Sequence, residues 1–194
     1  MKRLTALALV AVALAAACGS DDDSGAVASD TTAAEASSDS FNDADVTFAQ
    51  DMIPHHEQAV EMAELAADRA GSDEVKDLAS RIEAAQDPEI ETMTAWLEDW
   101  DEPVDGGGGM EMDDGMEMGG GMMSDEDMES LEDADGADFD QLFLEMMGEH
   151  HRGAIEMAET ELADGAFADA LELAQEIVDT QTAEIAEIEE LLGA

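Results

Sequence analysis

Phe48-Ala-Gln-Asp-Met52-Ile-Pro54-His55-His56-Glu-Gln-Ala59-Val-Glu61-Met62-Ala63-Glu64 decides the fold, because it returns as Phe143-Leu-Glu-Met-Met147-Gly-Glu-His150-His151-Arg-Gly-Ala154-Ile-Glu156-Met157-Ala158-Glu159. The offset of 95 residues persists through Leu78/Leu173, Ile82/Ile177, Gln86/Gln181, Glu89-Ile90/Glu184-Ile185 and Leu97/Leu192. A constant offset over a unit of about fifty residues marks a duplicated supersecondary element. All four histidines of the chain lie in the repeated segment.

In each copy apolar residues recur at spacings of three and four, the period of an amphipathic helix. Helices are predicted from Asp43 to Ala70, from Asp73 to about Trp100, from about Asp138 to Asp164 and from about Phe167 to Leu192. Gly71-Ser72-Asp73-Glu74 supplies a helix stop, an N-cap and an acidic first turn. Gly165 separates the last two helices, and Ser124 is placed to cap a short helical turn ahead of them. Pro88 predicts a kink in the second helix, since it lacks an N–H and crowds the carbonyl of Ala84; the second copy has Ala183 there. Two αα-hairpins with apolar stripes bury them most economically against each other. The expected fold is therefore an all-α four-helix bundle, with hairpin one at 43–100, hairpin two at 129–194 and a long crossover at 101–128.

The ends and the crossover have other compositions. Lys2-Arg3, an apolar run from Leu4 to Leu14 and Ala15-Ala16-Ala17 read as a signal peptide over 1–17. The run is too short to span a bilayer. Small residues leading directly into Cys18, the only cysteine, followed by Gly-Ser, resemble a bacterial lipobox, so Cys18 is expected to carry the lipid that anchors the chain. With that thiol used, no disulfide or thiolate ligand remains. Residues 18–40 are rich in Asp, Ser, Ala and Thr and read as a flexible tether. The crossover from Asp105 to Met128 is acidic and Gly-rich and holds seven of the fourteen methionines: Met110, Met112, Met116, Met118, Met122, Met123 and Met128.

Six Lys and Arg against 52 Asp and Glu give a net charge of −46. That sign makes nucleic acid and anionic lipid surfaces poor partners, so no nucleic-acid partner is expected, whereas cations are concentrated. Dense carboxylates also keep a surface solvated in a saline or acidic milieu, and that accounts for most of the charge.

Chemistry concentrates on the inward faces. On a wheel of about 100° per residue, His55, His56, Ala59 and Ala63 fall within about 60° of Met52, and Met62 lies at its edge, whereas Glu57, Glu61 and Glu64 point away. Met147, His150, His151, Ala154, Met157 and Ala158 repeat this. The same arithmetic puts Gln86 and Glu89 inside the stripe of the second helix, and Gln181 and Glu184 inside that of the fourth. A core carboxylate in both halves is costly without a cationic or metal partner. Antiparallel pairing about the first turn sets His55 and His56 at the level of Gln86 and Glu89, and the second hairpin aligns its own set in the same way. Each hairpin is thus crossed by a polar layer with metal-ligand character: His55, His56, Glu89 and Met52 in one, His150, His151, Glu184 and Met147 in the other. Gln86 and Gln181 are expected to orient imidazole N–H groups, with Met62 and Met157 beside them. Methionine at helical spacing is also ordinary core filler. An axis along the bundle is expected to merge the two layers, and a perpendicular axis to leave two sites.

Gly109-Met110-Glu-Met112 and Gly115-Met116-Glu-Met118 repeat within the crossover. With Met122 and Met123 they offer neutral thioethers, which favour Cu(I). Imidazole outnumbers carboxylate in the inner layers, which suits copper, zinc or nickel better than iron. A dinuclear iron or manganese oxidase usually carries two Glu-x-x-His motifs, and none occurs in this chain. That enzyme and a metal-free acidic surface module are the alternatives to a copper-binding protein without turnover.

The segments Met52-Ile-Pro-His55-His56-Glu-Gln-Ala-Val-Glu-Met62-Ala63, Met146-Met147-Gly-Glu-His150-His151-Arg-Gly-Ala-Ile-Glu-Met157-Ala158 and Met122-Met123-Ser-Asp-Glu-Asp-Met128 resemble the bacterial domain-of-unknown-function 305 family, over roughly residues 41–194. The resemblance implies a ferritin-like four-helix bundle, secreted or lipid-anchored, with some members implicated in extracytoplasmic copper binding and resistance. A metal ion, Cu(I) or Cu(II) or another divalent ion such as zinc, is then the ligand. A metal donor or acceptor protein would be the macromolecular partner, and the lipid on Cys18 the only membrane contact. Met147-Gly-Glu-His150 departs from the family's Met-Ile-Pro-His, so Pro54 has no counterpart.

Overall fold

Asn42 begins the first helix by accepting from the backbone N–H groups of Ala44 and Asp45, while Asp45 reaches back to the N–H of Asn42 at 2.6 Å. Ser72 caps the second helix through Val75 N–H, and Ser124 forms a reciprocal capping box with Asp127. Such caps contribute about 1 kcal/mol each. The computed structural model describes residues 40–105 and 120–193. The expected signal peptide, Cys18, the tether before Ser40, and Met110, Met112, Met116 and Met118 lie outside the described residues.

The elements are α1 Asp43–Arg69, α2 Asp73–Asp99, α3 Asp125–Asp133, α4 Gly136–Asp164 and α5 Ala168–Gly193. The four long helices form an all-α four-helix bundle of two hairpins, α1–α2 and α4–α5, joined face to face by α1 on α4. α1 continues through Pro54 and α2 through Pro88 without interruption. α3 straddles the expected boundary between crossover and second hairpin at residue 128, because its capping box starts at Ser124 and Leu131 buries fully in the core. Among the described residues no helix is long and apolar enough to cross a membrane.

Asn42 Nδ2 donates to the carbonyl of Asp164, and Ala70 pairs with Gly136. The start of α1 therefore meets the end of α4, the two helices are antiparallel, and α2 ends at the opposite end of the bundle from the start of α4. The axis relating the hairpins is accordingly perpendicular to the bundle.

Each hairpin holds the other's turn. Asp45 on α1 accepts from the N–H groups of Ala166 and Phe167 in the α4–α5 turn. Asp140, its counterpart on α4, accepts from Gly71 and Ser72 in the α1–α2 turn, both at 2.9 Å. Hydrogen bonds to a charged acceptor contribute about 1.5–3 kcal/mol each, so these reciprocal clamps fix the two hairpins at both ends.

Two apolar clusters fill the bundle. One gathers Met62, Leu78, Ile82, Leu131, Phe139, Phe143, Met146, Met147 and Ile188, and the other Phe48, Met52, Met93, Leu97, Ala154, Leu173 and Ile177. Between them lies a layer of buried polar side chains.

Candidate metal centre

His55, His56, His150 and His151 are all buried, as are Gln86, Gln181 and Glu184. Helical periodicity turns the adjacent histidines of α1 inward and the repeat does the same on α4. The His55 and His150 ring centroids lie 3.7 Å apart. The two layers have therefore merged into one, contrary to the expectation that a perpendicular axis leaves two sites. The reason is position: the histidine pairs sit at the midpoints of α1 and α4, where the axis passes, so the rotation superimposes the layers instead of separating them.

His56 Nε2–H donates to Glu89 Oε2 at 2.6 Å, and His151 Nε2–H donates to Glu184 Oε2 at 2.7 Å. The levels predicted by antiparallel pairing are thus the observed ones, and both inward carboxylates have a histidine partner. His55 Nε2–H donates to the carbonyl of Gly120 at 2.7 Å. In a neutral ring an acceptor-only partner at Nε2 places the proton there and leaves the lone pair on Nδ1. The Nδ1 atoms of His55, His56 and His151, and both ring nitrogens of His150, are buried without a partner. Buried polar atoms are rarely left unpaired; one His150 nitrogen carries the proton of that neutral ring, so the layer offers one free lone pair from each of the four histidines, a set that fits a cationic ligand.

The electrostatics agree. Burial lowers the pKa of His55 to about 4, with His56 and His151 adding to the shift and the Gly120 carbonyl opposing it. Burial also holds His150 well below its ordinary value, helped by the neighbouring rings of His55, His151 and His56 and opposed by the backbone of His55. These rings are neutral at neutral pH, so a metal ion meets lone pairs instead of protons.

Other expected members sit differently. Gln86 and Gln181 do not orient the imidazoles, since neither Oε1 has a partner. Glu89 and Glu184, three residues further along the same faces, occupy the Nε2 positions instead. Met52 and Met147 are fully buried in opposite apolar clusters, one turn from the layer. Met62 is fully buried as well, whereas Met157 is only half-buried. Met123 packs into the core and Met122 is half-buried. Among the described residues no three His, Cys, Asp or Glu side chains stand ready around one point, so the rings must turn to share an ion.

The crossover closes one side of the layer, a contact the sequence does not announce. Gln58 on α1 grips the crossover backbone with both amide atoms, donating to Met123 O at 2.9 Å and accepting from Met123 N–H at 2.7 Å. Its counterpart on α4 is Gly153, where a Cβ would lie 1.6 Å from the Gly120 carbonyl oxygen. One position of the repeat has become a clamp and the other a gap, and together they lay Gly120 over His55. On the opposite side, Glu89 lines a groove of about 510 Å³ between α2 and α5, with Pro88, Thr92, Trp96, Asp169, Glu172 and Glu176. This acidic groove gives the layer a face toward solvent.

The family described as "Domain of unknown function (DUF305)" matches residues 45–192. A DUF305 protein from Streptomyces coelicolor is 31% identical, with a TM-score of 0.68 over 77% of this chain and 92% of that one. The protein CopM in its Cu(II)-bound form is 31% identical, with a TM-score of 0.66 over 77% of this chain and 95% of that one. CopM in its Cu(I)-bound form gives 29% identity and a TM-score of 0.63 over 76% and 94%. None of the curated proteins matches the chain. With the family match spanning most of its length and the helical repeat intact around both histidine pairs, the chain belongs to the DUF305 family.

Proposed function

We propose that the histidine layer binds copper and that the protein is an extracytoplasmic, lipid-anchored copper carrier that sequesters the ion or passes it to another protein, without catalytic turnover. The observation that carries this reading is the set of four buried histidines at the bundle's centre, each with a ring nitrogen that has no partner. Imidazole suits Cu(II) and Cu(I) alike, and CopM, similar over most of both chains, is described with each. Zinc is the competing ion for such a donor set. Glu89 and Glu184 hold the outer nitrogens of His56 and His151, the arrangement by which a carboxylate fixes ring orientation and raises ligand basicity.

Met110, Met112, Met116 and Met118 are assigned the capture of Cu(I), with weaker binding and faster exchange than the bundle. Ordering a Gly-rich segment around an ion costs on the order of 1 kcal/mol per residue fixed. Anchoring follows from Cys18: its lipid holds the bundle outside the membrane on a tether, where the net charge of −46 attracts cations.

Copper bound only by the folded state raises Tm by mass action. His55→Ala with His150→Ala abolishes the copper-induced rise while circular dichroism shows the helices retained. An unchanged rise in that double variant contradicts the assignment of the layer.

A further inference from the structure

We propose that the groove between α2 and α5 is a docking surface for an arginine side chain of a partner protein, seated among Glu89, Asp169, Glu172 and Glu176 against the indole of Trp96. The groove has a volume of about 510 Å³, with Pro88, Thr92 and Leu173 in its wall. Asp169, Glu172 and Glu176 are exposed. Among the described residues none of these three pairs with a basic side chain, since Arg81 and Arg152 are taken by other carboxylates.

The internal repeat supplies the template. At the offset of 95 residues, Thr92 of α2 corresponds to Glu187 of α5, and Glu172 and Glu176 of α5 correspond to Asp77 and Arg81 of α2. The same seam between the same two helices therefore occurs twice, once in each half of the bundle. In the other copy Arg81 closes it: the guanidinium donates to Asp77 on its own helix at 3.2 Å and to Glu187 across the seam at 2.6 Å. Here Glu176 stands in the arginine's place, Glu172 keeps the acid of its own helix, and Thr92 replaces the acid across the seam. The fold thus builds a place for a guanidinium in both copies and fills only one from within. Exposed ion pairs contribute only about 0–1 kcal/mol, so giving up the arginine costs the bundle little and leaves the place open to an incoming one.

The lining also indicates which cation. A guanidinium presents several donors in a planar fork, which suits more than one carboxylate at once, and it stacks on aromatic faces. Trp96 offers such a face, with its indole held in place by Trp100 and Phe167. The occupant is a different protein. Past Arg3 the only basic residues of this chain are Arg69, Lys76, Arg81 and Arg152, and a net charge of −46 drives two copies of it apart. The docked arginine lies beside Glu89, the carboxylate that holds His56. With the histidine layer as the copper site, the metal donor or acceptor then sits against the group that orients one of its rings; this consequence alone rests on the proposed function.

Nuclear magnetic resonance titration of the full chain, without copper, tests the groove. The probe is acetyl-arginine methylamide, with acetyl-lysine methylamide as its ammonium counterpart, both at about 0.15 M salt to screen diffuse attraction. The arginine probe is expected to give saturable shifts at the Trp96 indole N–H and at the amides of Thr92 and Glu176, and the lysine probe to bind more weakly. Glu176→Arg grafts the residue that closes the other copy and weakens binding of the arginine probe by about tenfold or more. Glu132→Arg makes the same charge change at an exposed position of α3 and leaves binding unchanged. The shifts persist in His55→Ala with His150→Ala, so failure of the copper layer leaves this result intact. Equal affinity in Glu176→Arg and Glu132→Arg overturns the proposal, as does equal binding of the two probes or a titration that never saturates at Trp96.

Discussion

Acidification puts the buried histidine layer under a defined load. In the folded protein the His55 pKa is lowered to about 4, whereas in the unfolded chain it returns to 6.5. Between those values the unfolded state binds more protons, so stability is lost as pH falls through the window. The interval corresponds to about 3.4 kcal/mol at about 1.36 kcal/mol per pH unit. His55 is 2% exposed, so solvent screening removes little of this. His150 acts in the same direction. The many surface carboxylates titrate in the same range, so the measurement is a difference. Urea unfolding of apo protein is followed from pH 7 to pH 4 for wild type and for His55→Gln, whose amide can still donate to the Gly120 carbonyl. With a urea slope of roughly 2 kcal/mol/M, the wild-type midpoint should fall by about 1.7 M more than the variant's. Parallel curves would refute the view that His55 is held neutral by burial. Copper should leave over the same acid range, because the proton and the metal compete for one lone pair.

Three further outcomes follow from named contacts. Gly153→Ala places a Cβ 1.6 Å from the Gly120 oxygen, so the crossover must lift; hydrogen exchange should show lost protection at the Met123 amide with α2 unchanged. Asp140→Ala releases the turn at Gly71 and Ser72, costing about 2 kcal/mol and lowering Tm by roughly 4–8 °C. Glu161→Ala should gain stability over wild type as pH rises from 5 to 8. The folded pKa of about 8 stands above the ordinary 4.5, and the wild-type carboxyl then remains protonated in the fold while it ionises in the unfolded chain; the gain is at most about 5 kcal/mol.

The helices and their inward faces were legible because periodicity and duplication gave the same answer twice. His56 with Glu89 and His151 with Glu184 were legible for the same reason: a core carboxylate repeated at the level of a histidine needs a partner, and antiparallel pairing supplies one. What lay beyond the pattern was contact between the two halves. Nothing local in Met52–Ala63 says that the symmetry axis passes through the histidines, since that depends on where α1 and α4 cross. Asp45 and Asp140 look like ordinary first-turn acids until the opposite hairpin's turn is brought to them. Gln86 and Gln181 fall on the right face, but Glu89 and Glu184 reach the imidazoles instead. Gln58 and Gly153, like Arg81 and Glu176, do carry a signal. In a duplicated sequence the positions where the copies disagree mark where the halves took different tasks.

The central claim, that the four histidines form a copper site at the middle of the bundle, is tested most directly by anomalous diffraction at the copper edge from crystals of the copper-loaded protein. The account predicts a peak between α1 and α4 at bonding distance from ring nitrogens of His55 and His150, with Glu89 and Glu184 still holding His56 and His151. A histidine layer without a peak, in crystals whose copper lies elsewhere, would contradict it.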